Sequence, residues 1–228
     1  MIICRTAPGN ILKPRSEMAS KKLKIRCLFK ANIILEFLEK PTTPEEIVTD
    51  QINAGCYIFK RSVIDSIPSD RPVSVERETF PELLAADRMV IGVVDDGYWL
   101  DLGTPLAFAK GSADLVRGIA PSPLLTGRTG EALIEPTAKV DSTALITGGS
   151  YIGHDAVIGA SAVINGSVIF AEVEVGSGTQ ITNSIVSTAA KISSDCIIID
   201  TVIAERAVIN AGANLEPGTL VFPDESVN

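Results

Sequence analysis

The sequence predicts a mixed α/β segment joined to a long parallel β-helix, and three observations carry that prediction. Ile134, Val140, Ile146, Ile152, Ile158 and Ile164 recur every six residues. Beyond Asn165 several columns recur every 17: Val168, Ile185 and Val202; Val173, Ala190 and Ala207; Val175, Ile192 and Ile209; Ile181, Ile198 and Leu215. Before residue 119 the pattern differs, with short apolar runs broken by Pro, Gly and Asp.

The chain of 228 residues is aliphatic, with 46% hydrophobic but only 5% aromatic residues and a mean hydropathy of +0.28. Its net charge of -8 argues against nucleic acid or an anionic membrane as partner. No apolar run has the length of a membrane span, and the start lacks a signal-peptide core. Cys4, Cys27, Cys56 and Cys196 form no CxxC pair, so reduced thiols in a cytoplasmic protein are expected.

Taken in order, residues 1–32 read as a basic leader. Residues 1–30 hold eight of the 20 Lys and Arg against one acid, Glu17, with no clear helix or strand period. A disordered or foreign leader is expected there rather than a phosphate-binding arm. Residues 33–118 read as α/β. "NIILEFLEKP" and "INAGCYIF" are strands, "RSVIDSIP" is a short helix or turn, and "SVERETFPELLAAD" is helical with Pro81 near a first turn. "MVIGVVDDGYWLDLG" suggests two strands joined in a hairpin at Asp95-Asp96-Gly97. Thr104 caps a helix with Pro105 at its first position, running to about Arg117 with Leu106, Ala109, Ala113 and Val116 on one face. Residues 119–131 read as a Pro/Gly/Ser-containing linker.

Residues 132–228 read as a solenoid. Three six-residue sides make one triangular coil, and each side stacks an aliphatic column inward. A 17-residue coil has one corner shortened, and Gly, Asn and Asp suit the corners. Residues 134 to 220 leave room for about five coils. The pattern resembles the hexapeptide-repeat, left-handed parallel β-helix.

"FLEKP" (37–41), "INAGCYIF" (52–59), "ERETFPELLA" (76–85) and "GYWLDLGTP" (97–105), in this order and followed by hexapeptide repeats, resemble the sugar-nucleotide pyrophosphorylases, above all their mannose-1-phosphate guanylyltransferase branch. The resemblance covers about 33–228. It implies that residues 33–118 are part of a Rossmann-like nucleotidyltransferase domain, with mannose 1-phosphate and GTP giving GDP-mannose and pyrophosphate. It also implies roles. Lys40 neutralises the sugar phosphate, Glu39 accepts sugar hydroxyls, and Asn53 and Gly55 line the sugar pocket. Trp99 and Tyr98 wall it, and Asp101 holds Mg²⁺. Structural readings stay open beside these: "EKP" as an exposed strand end, Asn53 as a turn residue, Trp99 as core, Asp101 as a cap-region acid.

The family's Gly-x-Gly-Thr-Arg loop does not occur in these residues; "TGRTGE" (126–131) lies in the linker. A chain that is truncated and weakly active or inactive alone is therefore expected. Strands of 33–118 would lack partners, leaving a sheet edge and an apolar face uncovered and this segment less stable than the β-helix. Self-association, or association with a full-length relative as a non-catalytic subunit, is a further expectation. A hexapeptide acyltransferase would use His154, the single histidine, as base; a solvated corner residue is expected instead.

Overall fold

The protein's structure, a computed structural model, describes residues 2–6, 25–30, 32–39 and 51–228. They fall into two compact units, Met1–Trp99 and Leu100–Asn228.

In the first unit β1 (Ile2–Thr6), β2 (Ile25–Lys30), β3 (Ile33–Glu39), β4 (Gln51–Tyr57) and β5 (Gly92–Val93) form one sheet in the order β3-β2-β4-β1-β5. β5 runs parallel to β1 and the other neighbours are antiparallel. Two strands thus come from residues 1–32, where the excess of Lys and Arg hid brief apolar alternations such as "IRCLF". The sheet's outer strands also meet. Ile33 bridges Ile91, Ile34 N–H donates to Val90 C=O at 2.8 Å, and Gly92 N–H donates to Asn32 C=O at 2.8 Å. The expected uncovered edge is corrected: β3 finds acceptors and donors beside β5.

A second correction concerns Asp95-Asp96-Gly97. β5 ends at Val93 and no partner strand follows it. Asp95 Oδ1 accepts the Gly97 N–H at 2.7 Å. This side-chain turn takes a donor that the hairpin would have used, and β5 pairs with β1 instead.

Among the described residues the unit also holds the short helices α1 (Arg61–Ile64) and α2 (Phe80–Ala85). Its core is Phe80, Ile34 and Val90, packed by Tyr57, Phe59, Val75, Leu83 and Leu84. Phe80 is fully buried, edge-on to Tyr57 at 5.1 Å and stacked on Phe59 at 5.8 Å.

The second unit opens with α3 (Pro105–Val116). Thr104 Oγ1 accepts the Ala107 N–H at 3.1 Å, as the Thr-Pro signal predicts. Ala109 and Val116 are buried, but Leu106 is 55% exposed. A Cβ built on Gly149 would lie 2.6 Å from the Ala113 carbonyl oxygen, so backbone meets backbone where the helix is seated.

From Ala132 to Val227 the chain is a parallel β-solenoid, consistent with the left-handed β-helix expected. Two sides carry six strands and the third carries five, which is more than the five coils counted from 134 to 220. The final strands, Leu220–Val221 and Ser226–Val227, account for the excess. Pairing follows the columns: Ile164↔Ile181↔Ile198↔Leu215, Val175↔Ile192↔Ile209 and Val168↔Ile185↔Val202. Ile152, Ile164, Ile181, Ile198 and Ile209 are fully buried.

The shortened corner lies after the third side. Ile146 pairs with Ile164 in an 18-residue coil, and Ile164 with Ile181 in a 17-residue one. Gly166, Asn183 and Asp200 turn that corner with φ of 56, 49 and 51°. A ladder of buried hydroxyls seals it. Ser167 N–H donates to Ser150 Oγ (3.2 Å), Ser184 N–H to Ser167 Oγ (3.1 Å) and Thr201 N–H to Ser184 Oγ (3.0 Å). Each hydroxyl in turn donates to a carbonyl of its own coil, as Ser184 Oγ does to Thr182 C=O at 2.8 Å. The side chain supplies the acceptor that the shortened backbone does not bring into reach.

Two expected outcomes follow. Ser184→Ala leaves the Thr201 N–H and Thr182 C=O without this partner, and costs about 1–3 kcal/mol in chemical denaturation of the solenoid. Gly149→Ala combines a φ of +79° with the clash at Ala113. It lowers the solenoid's midpoint by a similar amount, about 1–3 kcal/mol, and exposes α3 amides to hydrogen exchange.

Candidate functional site

The site in the first unit grows from two local irregularities. The first is a bulge in β4. Ile3 pairs with Cys56 while Cys4 pairs with Asn53, so Ala54 and Gly55 are extra on β4. Gly55 has φ +72°, which a glycine reaches without strain. The bulge is closed by Asn53, whose Oδ1 accepts the Gly55 N–H at 3.0 Å.

The second is a widened helical turn at Val75–Thr79, running into α2. Phe80 N–H donates to Val75 C=O, and Thr79 N–H to Ser74 C=O at 3.4 Å, both five residues back. Pro81 supplies the cause. It has no N–H for the Arg77 carbonyl, and its ring crowds that oxygen, so the turn opens. Ser74 caps the turn by accepting the Arg77 N–H at 3.2 Å, and Glu78 reciprocates by accepting the Ser74 N–H at 3.1 Å. Arg71 closes the cap with a 2.7 Å ion pair to Glu78.

Together the bulge and the turn build a closed polar cluster. Asn53 Nδ2 donates to Tyr57 OH at 2.5 Å and to Glu76 Oε1 at 2.9 Å, and Tyr57 OH donates to Glu76 Oε1 at 2.9 Å. The three side chains are half-buried. The cluster's donors are spent internally. What it offers outward among the described residues is acceptor capacity: Glu76 Oε2 and the second lone pair of Asn53 Oδ1. Such a surface selects hydroxyl donors and, through its formal negative charge, disfavours a phosphate at the same spot.

Of the residues named from sequence, Asn53 and Gly55 are brought together here. A Cβ on Gly55 would meet nothing within 4 Å, so its requirement in this chain is the positive φ. Glu39 ends β3, its side chain being outside the described residues, and Lys40 lies outside them altogether. Trp99 is half-buried and ends the first unit, whereas Asp101 is exposed and belongs to the second. Tyr57 and Glu76 were not singled out from sequence. Glu76 is 23 residues from Asn53. Its place inside the "ERETFPELLA" motif was the available signal.

Among the described residues no group of three or more His, Cys, Asp or Glu is placed to hold a metal ion. No helix among them is long and apolar enough to cross a membrane. His154 stands at a solenoid corner with a 59% exposed side chain, its Nδ1 3.3 Å from Thr137 Oγ1.

The Arg71 guanidinium holds the Glu78 carboxyl below its ordinary value, with the Ser74 N–H adding to the effect. A carboxylate with a depressed folded-state pKa stabilises above its unfolded value and loses that contribution as pH falls through the folded value. The Ser74 cap is thus expected to open at acid pH, below the usual carboxylate range. An NMR titration following the Ser74 amide checks this. Glu78→Gln should remove the pH dependence of that amide.

Comparison with known proteins now bears on this geometry. Residues 25–118 match the family model described as nucleotidyl transferase, and residues 128–228 match the GMPPB C-terminal domain. A mannose-1-phosphate guanylyltransferase of Mycobacterium tuberculosis is 54% identical over 143 residues, 62% of this chain and 39% of the relative. A mannose-1-phosphate guanyltransferase of Saccharomyces cerevisiae is 41% identical over 113 residues, 47% of this chain and 30% of its own length. In Arabidopsis thaliana, mannose-1-phosphate guanylyltransferase 1 is 35% identical over 136 residues, 58% of this chain and 35% of that protein. The chain spans well under half the length of these relatives.

Proposed function

Because the chain belongs to a family like the GDP-mannose pyrophosphorylases, we propose that it carries the sugar-phosphate side of a nucleotidyltransferase site. The reaction is that of mannose 1-phosphate with GTP, giving GDP-mannose and pyrophosphate. The observation that carries this reading is the acceptor-only Asn53–Tyr57–Glu76 cluster, set inside the segment that matches the nucleotidyl transferase model.

On this reading Asn53 and Glu76 orient the sugar hydroxyls, with Glu39 as a further acceptor. Lys40 meets the phosphate as a point charge that the acceptor cluster itself does not supply. Trp99 shields the sugar. Asp101 would be the residue through which Mg²⁺ is held, and that ion would supply charge neutralisation at the phosphates. Attack by the sugar-phosphate oxygen on the α-phosphorus depends on positioning and on stabilising charge. The phosphate-cradling Gly-x-Gly-Thr-Arg loop is not among these 228 residues. We therefore infer that these residues by themselves bind sugar phosphate with weak or no turnover. A second reading, a non-catalytic subunit that docks on a full-length relative, is supported by the solenoid that matches the GMPPB C-terminal domain.

Calorimetry with mannose 1-phosphate should give saturable binding to the full chain. Glu76→Gln and Asn53→Ala should each weaken it roughly tenfold or more, the loss of a charge-assisted hydrogen bond. Pyrophosphate release from GTP and mannose 1-phosphate should be slight or absent for the purified chain. Absence of binding sinks the first reading, and ready turnover sinks the claim of weak activity.

A further inference from the structure

A second cleft in the first unit shares no residue with the Asn53 cluster. It encloses about 200 Å³ between the loop after α1 and the far side of α2. Ile67, Pro68, Val73, Leu83 and Ala86 give it apolar walls, and Arg71, Arg88, Glu82, Ser66 and Thr79 give it polar groups.

Two features in it are unused by the fold. Thr79 is only 5% exposed, and its hydroxyl has no hydrogen-bond partner among the described residues. In a regular helix a threonine hydroxyl bonds back to a carbonyl one turn earlier. The widened turn shifts that register, and the hydroxyl is left over. A buried unpartnered hydroxyl is costly, and a ligand that accepts from it inside the cleft would recover that cost. Arg88 is the second feature. Its backbone N–H is bonded to Leu83, but its guanidinium has no partner among the described residues. Arg71, by contrast, is engaged by Glu78.

We propose that this cleft binds a small organic monoanion, a carboxylate on a short apolar body. Arg88 presents a planar fork that a carboxylate matches with two parallel hydrogen bonds. Thr79 donates a further bond from inside the cleft. Of the ionised side chains lining it, Arg71 is neutralised by Glu78, which leaves Arg88 and Glu82. A monoanion meets Arg88 charge for charge, whereas a phosphate dianion would set a second negative charge beside Glu82. The five apolar walls favour an alkyl chain behind the carboxylate over a fully hydrated ion.

The test uses the full chain and sodium butyrate, with sodium chloride at equal ionic strength as control. Butyrate should bind saturably by calorimetry and raise the unfolding midpoint of the first unit. Arg88→Gln and Thr79→Val should each weaken binding roughly fivefold or more. Thr79→Val, which removes an unpartnered hydroxyl without changing shape, should unfold at or above the wild-type temperature without ligand. Lys40→Ala should leave butyrate binding intact, which separates this cleft from the proposed sugar-phosphate site. No saturable binding, or binding by Arg88→Gln and Thr79→Val as tight as that of the wild type, overturns the proposal. Inorganic phosphate binding tightly while butyrate does not would overturn the assignment of ligand class.

Discussion

Each solenoid coil must hydrogen-bond to the next in register, and that constraint organises most of this molecule. Glu174 N–H donates to Ala190 C=O, Lys191 N–H to Ala207 C=O and Val208 N–H to Glu225 C=O, one coil at a time. A one-residue slip on any side would turn its buried column outward. Length can therefore vary only at a corner. The coils of 17 and 18 residues differ at the corner turned by Gly166, Asn183 and Asp200, where buried hydroxyls take over the accepting role.

That constraint is also why the solenoid was legible in the sequence. A period enforced by backbone bonding repeats its demands on composition, so Ile181, Ile198 and Leu215 declare one another. The hydroxyl column at 150, 167, 184 and 201 obeys the same period. It was missed because Ser and Thr near Gly, Asn and Asp read as ordinary corner residues. Nothing in composition distinguishes a solvated serine from one fully buried and bonded to the next coil.

The first unit offers no such redundancy, and its legibility is uneven. The Thr104 cap was legible because capping is local. The Asp95-Asp96-Gly97 hairpin failed because the same residues support a side-chain turn, and β5 had a better partner in β1. Pro81 was visible as a first-turn proline, but its effect lies upstream, in the opened turn that carries Glu76 and Thr79. The meeting of Asn53 with Glu76 depends on that opening and on the bulge at Gly55 together. Two irregularities that act jointly across 23 residues leave no periodic trace.

The chemistry of the cluster bears on what a chain containing it can do. On the proposed reading Glu76 and Asn53 would hold hydroxyl groups that change little along a phosphoryl-transfer coordinate. Interactions equal in the ground and transition states tighten binding without lowering the chemical barrier. The barrier falls where charge develops, at the phosphates, and there the acceptor cluster's own negative charge is of no help. Cationic side chains, backbone N–H groups or a metal must act on that charge. On the proposed reading a cluster of this kind fixes which sugar is held and in what pose. Rate enters only as the phosphate-binding half is brought against it, and that division lets recognition and turnover be measured separately.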